Sequence, residues 1–112
     1  MQVLLTPFLA TGLLMFAAGH AAAADAHCAQ AARVQAGKLL AFHTDGDERA
    51  QVDAQVKPLP SLANPANKAQ RFLVLEVGGH VYKGEYRMRL IYAPLGTECV
   101  LMGQEILELA KL

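Results

Sequence analysis

The clearest pattern in the chain is an alternation of two residue classes from Tyr82 to Tyr92. Every second residue is apolar or glycine, beginning with Tyr82 and ending with Tyr92. Four of the five intervening positions carry the charged residues Lys83, Glu85, Arg87 and Arg89, and the fifth is Ile91. Side chains on a strand point alternately to opposite faces, so this pattern predicts a long β-strand with one buried face.

Two turn signals predict the partners of this strand. Gly78-Gly79 favours a two-residue hairpin, which sets Leu75 opposite Tyr82. Ala93-Pro94-Leu95-Gly96 predicts a second turn, which sets Leu90 opposite Cys99. The result is a three-stranded antiparallel meander in which Cys99 points toward the buried side.

Residues 25 to 43 show helical periodicity instead, with Asp25 as a possible cap at the start. An arc of about 120° on this predicted helix contains Cys28, Ala29, Ala32, Ala36, Leu39, Leu40 and His43. Two separate periodicities therefore direct Cys28 and Cys99 to the same interface. A strand that starts near Lys38 is the alternative for the end of this segment.

The remaining segments complete a sheet. Arg49 to Lys57 alternates and predicts a further half-buried strand. Pro58 to Gln70 contains three prolines and is predicted to be a loop. The tail from Gln104 could continue the last strand to about Leu107 past a bulge at Gly103, which we favour, or form a short helix.

These elements predict an α+β fold in the order α-β-β-β-β, with one N-terminal helix packed on a four-stranded antiparallel sheet. This order resembles the cystatin-like arrangement at the level of topology. The Gln-x-Val-x-Gly hairpin expected of inhibitory cystatins is absent, and the nearest string is Gln55-Val56-Lys57-Pro58. The resemblance therefore implies no activity, because fold alone does not fix function.

The first 24 residues predict a secretory signal peptide, followed by one domain from 25 to 112. They contain no Asp, Glu, Lys or Arg, are almost wholly apolar from Val3 to Ala18, and end in small residues. The absence of Lys or Arg in this segment leaves an uncleaved anchor as the alternative. We expect an exported protein, periplasmic or secreted, with no membrane association after cleavage.

Charge and cysteine count narrow the possible partners. Ten basic and ten acidic residues balance, which gives no indication of a nucleic-acid partner. An even count of two cysteines in an exported chain predicts a disulfide between Cys28 and Cys99. Such a bridge would contribute about 4 kcal/mol in the chain-entropy model, and often less in practice.

Candidate chemistry is sparse. Cleavage after Ala24 would expose Asp25-Ala26-His27, whose amine, amides and imidazole could bind Cu(II) or Ni(II) in a square plane. His43 and His80 have no ligand-like neighbours in sequence, so we predict structural roles for both. No nucleophile and base stand in a recognisable arrangement, so we predict no enzyme activity, no cofactor and no resident metal.

The outer face of the predicted sheet carries more apolar residues than a solvated face needs. The binding surface predicted there consists of Phe72, Val74, Arg87, Arg89 and Met102. We expect an exported, non-enzymatic interaction module that binds a protein partner or a second copy. The alternative is a small-ligand carrier, with a cavity between helix and sheet framed by Tyr82, Tyr86 and Tyr92.

Overall fold

The computed structural model describes the backbone from Gly19 to Ala110 and the side chains from Cys28 to Ala110. The elements are α1 (Gly19–His43), β1 (Ala50–Asn64), β2 (Asn67–Val81), β3 (Gly84–Leu95) and β4 (Glu98–Leu109). The four strands form one antiparallel sheet in the order β1-β2-β3-β4. The predicted α+β fold, with one helix packed on a four-stranded antiparallel sheet, is confirmed.

α1 packs on the sheet through one row of small side chains. Cys28, Ala32, Ala36 and Leu40 recur every fourth residue and are almost fully buried. Residues with this spacing lie on one side of a helix, and alanines allow the helix axis to approach the sheet closely. The described part of the helix already includes Gly19, so Asp25 lies within the helix and not at its start as predicted.

The end of α1 has a well-defined cap. Asp45 and Gly46 both have positive φ, and the Gly46 N–H donates to the carbonyl of Ala41 at 2.8 Å. This is the Schellman motif, in which a carbonyl of the last helical turn that has no partner within the helix accepts a hydrogen bond. The Thr44 hydroxyl donates to the carbonyl of Leu40 at 2.7 Å.

The predicted loop from Pro58 to Gln70 is wrong, because β1 and β2 form one long hairpin through this region. Asn64 pairs with Asn67, and the turn between them is held by the Ala66 N–H, which donates to the Asn64 side-chain oxygen at 2.9 Å. β1 is an edge strand, where the missing N–H of Pro58 needs no ladder partner. Prolines here mark an edge strand and not a loop.

The predicted turn at Gly78-Gly79 is also wrong. β2 runs through both glycines, and the chain reverses at Tyr82-Lys83, where Tyr82 has a φ of 54°. Leu75 pairs with Leu90 instead of Tyr82. This register places Leu75 opposite Leu90 and Val77 opposite Met88 on the face toward α1.

Gly79 is required by packing inside the strand, whereas the close neighbour of Gly78 is an exposed side chain that can move. A methyl group added at Gly79 would lie 2.9 Å from Met88 Cε and 3.0 Å from Leu40 Cδ2. At Gly78, an added carbon would overlap the carboxylate of Asp53. The glycine at position 79 therefore allows β2 to pass directly beneath the end of α1.

The last hairpin is shifted from the predicted register as well. The turn is at Gly96-Thr97, and Cys99 pairs with Pro94, not with Leu90. Pro94 is tolerated because the β2–β3 pairing ends at Tyr92, beyond which only β4 pairs with β3. Met102 is an extra residue in a bulge, and β4 continues as a strand to Leu109, so the strand interpretation of the tail is confirmed.

The core lies between α1 and the inner face of the sheet, the face that α1 covers. Val77, Met88 and Leu90 are fully buried there. Cys28 and Cys99 form the predicted disulfide, with Cα atoms 5.7 Å apart. At the rim, Gln35 of α1 donates to the Gln104 side chain of β4 at 2.9 Å.

Candidate functional site: the outer face of the sheet

The outer face, opposite α1, is organised in rows that cross all four strands. One row, in strand order, is Leu59, Val74, Ile91 and Gly103. Next to it, toward the Pro65 turn, Leu62 pairs with Phe72 and Ala93 pairs with Val100. We call these eight residues the apolar band. Paired residues share a face, so the band is one continuous apolar surface.

The apolar band is partly buried without a covering element. Phe72 and Val74 are only 9% and 7% exposed, whereas Leu62 and Val100 at its margins are 48% and 36% exposed. None of the described residues forms a helix or loop over this face. The central side chains are therefore shielded by their same-face neighbours, and the margins are left open to solvent.

A row of alternating charge lies beside the band. Lys57, Glu76, Arg89 and Glu105 are consecutive cross-strand partners, and we call them the charged row. Arg89 contacts Glu76 at 3.4 Å and Glu105 at 3.5 Å, and Arg87 adds a contact to Glu76 at 3.5 Å. The arginine side chains are 40–43% exposed, so each ion pair contributes little to stability by itself.

The residues predicted for the binding surface have different environments. Phe72 and Val74 lie on the outer face as predicted, but they are largely buried, so only a small part of each side chain is available to a partner. Arg87 and Arg89 are engaged by Glu76. Met102 is 53% exposed at the bulge, beside the row that ends in Gly103.

The prediction missed the contribution of β1 to this surface. Leu59 and Leu62 were assigned to a loop, yet they form the β1 margin of the apolar band. A groove on this face is lined by Leu59, Pro60, Leu62, Val74, Arg89, Ile91, Gly103, Gln104 and Glu105. The available signal was Asn64-Pro65, because Asn followed by Pro favours the first two positions of a turn.

The three tyrosines do not frame one cavity. Tyr82 lies in the exposed β2–β3 turn, with the Arg49 guanidinium 5.2 Å from its ring centre. Tyr86 is half-buried against the His43 ring, with centroids 5.6 Å apart. Tyr92 is buried, and burial raises the pKa of its phenol.

Three surface grooves are lined by residues of the sheet and its turns, with no contribution from α1. One of them lies at the end of the outer face nearest the β2–β3 turn. It is polar and includes Asp53, His80, Glu85 and Arg87. At the helix–sheet interface, Gly79 is packed against Leu40 and Met88. None of these three grooves lies between the helix and the sheet, where the ligand-carrier alternative placed its cavity.

No metal centre is apparent within the described part of the chain, where no three His, Cys, Asp or Glu residues are suitably grouped. His80, predicted to lie in a turn, is in β2 opposite Glu85. The side chains of Asp25 and His27, like the whole of residues 1–18, lie outside the described residues. Copper or nickel chelation and the signal peptide therefore stay predictions.

No family model matches the chain, and comparison with curated proteins and with solved structures found no significant similarity. Across the residues that the structure describes, no helix combines the length and the apolar character needed to cross a membrane. The function must therefore be inferred from the chemistry of the surface.

Proposed function

We propose that this chain is an exported, non-enzymatic protein-interaction module that binds its partner through the apolar band. The observation that carries the proposal is the exposed margin of the band. Leu62 and Val100 stand open to solvent on opposite edge strands, on either side of the buried Phe72. An exposed apolar patch with a polar border is typical of a protein-binding surface.

The polar border is supplied by the charged row. Charges beside an apolar patch contribute to partner selection and association rate more than to affinity. The disulfide Cys28–Cys99 supports an oxidising compartment, because such bridges persist mainly in exported proteins. Among the described residues, no three His, Cys, Asp or Glu side chains are grouped as they would be around a metal ion.

The test compares a charged double variant with the native chain. Leu62→Glu combined with Val100→Glu places two carboxylates at the margins of the band, where they would be desolvated by a partner. Chemical cross-linking of the exported fraction should show native chain in specific complexes, and these should be lost in the double variant. Circular dichroism melting would confirm that the variant is folded.

Val34→Glu is the matched control. Val34 is 51% exposed on α1, away from the sheet, and a glutamate at this position would lie one helical turn before Lys38. We expect the complexes of this control to match those of the native chain. A folded double variant that keeps the native cross-linking pattern would rule out the apolar band as the binding surface.

A further inference from the structure

We infer that the partner on the apolar band is a second copy of this chain, packed outer face to outer face about a two-fold axis parallel to the strands. The inference rests on the proposed function and names its partner. It depends on one property of the charged row: in strand order the charges read plus, minus, plus, minus.

A two-fold axis parallel to the strands leaves the position of each row along the strand direction unchanged. It reverses the order of the residues within the row. β1 of one copy then faces β4 of the other, and β2 faces β3. Lys57 therefore meets the second copy's Glu105, and Glu76 meets its Arg89. Each charge of the row faces its opposite, so the row is complementary to its own reversed copy.

The same axis places the apolar band against itself. Leu62 of one copy lies over the region of Val100 of the other, so the exposed margins cover each other. An axis across the strands would set each strand against its own copy and reverse the positions along the strands. If it passed through the charged row, Lys57 would face Lys57 and Glu76 would face Glu76, so like charges would meet. If it passed through the centre of the face, the apolar band would meet the polar groove around His80 and Glu85.

The size of the face sets the expected strength. Four strands span about 19 Å, and the ten residues from Phe72 to Val81 span about 34 Å. This corresponds to a face of roughly 650 Å², slightly below the roughly 800 Å² that each partner buries in a standard interface. We therefore expect a reversible dimer that dissociates on dilution, in the manner of weak or transient complexes.

The experiment uses charge reversal at the two ends of the charged row. Lys57→Glu alone sets the introduced glutamate of each copy against Glu105 of the other. Glu105→Lys alone sets the introduced lysine against Lys57. Each single variant should dimerise at least about tenfold more weakly than the native chain in sedimentation equilibrium. When the two variants are mixed, both contacts become oppositely charged, and a heterodimer of near-native strength should form.

Recovery on mixing distinguishes a lost dimer contact from a folding defect. A folding defect in either variant would not be repaired by mixing, and thermal melting checks folding directly. Glu48→Lys, in the α1–β1 link, is the charge-matched control for Glu105→Lys and should leave dimerisation unchanged.

Three results would overturn the inference: a native chain that stays monomeric at high concentration, single variants that dimerise normally, or variants that fail to recombine on mixing. If the native chain is monomeric but is still cross-linked to another protein through the apolar band, the partner is not a second copy. The proposed function would then still stand. Dimers that survive both charge reversals would point to the free edge of β4 instead.

Discussion

The two faces of the sheet bury apolar side chains by different means. On the inner face, α1 covers Val77, Met88 and Leu90 completely, and the disulfide fixes the helix to β4. On the outer face, Phe72 and Val74 reach similar burial with no covering element among the described residues. Packing and the disulfide on the inner face therefore supply most of the stability of the fold. The outer face has solvent-exposed margins that a partner can cover.

The largest effect is expected from removing the link that holds α1 on the inner face. Replacing both Cys28 and Cys99 with alanine should lower the free energy of unfolding by about 4 kcal/mol, because the unfolded chain gains the entropy of an open loop. Urea unfolding of the double variant measures this loss. An unchanged unfolding midpoint would mean that helix–sheet packing alone holds the helix in place.

The next prediction compares neighbours on β3 that point to opposite faces. Leu90→Ala should cost about 3 kcal/mol, because it empties a fully buried site beneath α1. Ile91→Ala, on the outer face, should cost about 1 kcal/mol, since the Ile91 side chain is only partly buried. Chemical denaturation of both variants gives the difference. Equal losses would show that the two faces are equally important for stability.

A smaller effect is expected where β2 passes beneath α1. Gly79→Ala should destabilise the protein by about 2 kcal/mol, because the added methyl group overlaps Met88 and Leu40. Gly37→Ala is the control: apart from the local backbone of α1, no atom lies within 4 Å of the position of the added methyl group, and alanine favours a helix by about 1 kcal/mol. Melting temperatures should therefore move in opposite directions. A stabilising Gly79→Ala would show that the inner face has room for a methyl group beneath α1.

The smallest effect concerns the link from α1 to β1, outside both faces. Hydrogen bonds from the Arg49 side chain, and then from its backbone N–H, lower the pKa of Asp47 from 3.8 to about 2. A lowered pKa contributes stability that is present above pH 3.8 and lost as the pH falls toward 2. Solvent reaches this ion pair and screens it, so the effect on unfolding should be slight.

Nuclear magnetic resonance titration of the Asp47 carboxyl carbon checks this prediction. In Arg49→Gln the pKa should rise toward its ordinary value, because the bidentate hydrogen bonds are lost. A native pKa near 3.8 would contradict the hydrogen-bonded geometry of the link.

The fold class was predictable because the assignment of residues to faces is insensitive to an even shift of register. The predicted pairing of Leu75 with Tyr82 and the observed pairing with Leu90 both keep Leu75 on the inner face. The same holds for Cys99, which pairs with Pro94 instead of Leu90 and still points toward α1. Alternation therefore predicted the two layers and the disulfide correctly while the turns were wrong.

The turns depended on information that local sequence does not contain. Gly78-Gly79 has the composition of a hairpin turn, but Gly79 is explained by contacts with Leu40 and Met88, which are distant in sequence. The prediction of the candidate site failed for the same reason, because it also depended on which strands pair. Assigning Leu62 to a loop removed the β1 margin of the apolar band and left buried Phe72 as the apparent contact residue.

The position of Cys99 in the last strand has a consequence for how the molecule matures. Synthesis proceeds from the N-terminus, so the Cys28 thiol emerges long before its partner exists. The helix can be locked only once β4 has been made, and a chain interrupted before Cys99 would carry a reactive sulfur with no internal partner. A chain that contains this disulfide has therefore been synthesised at least as far as Cys99.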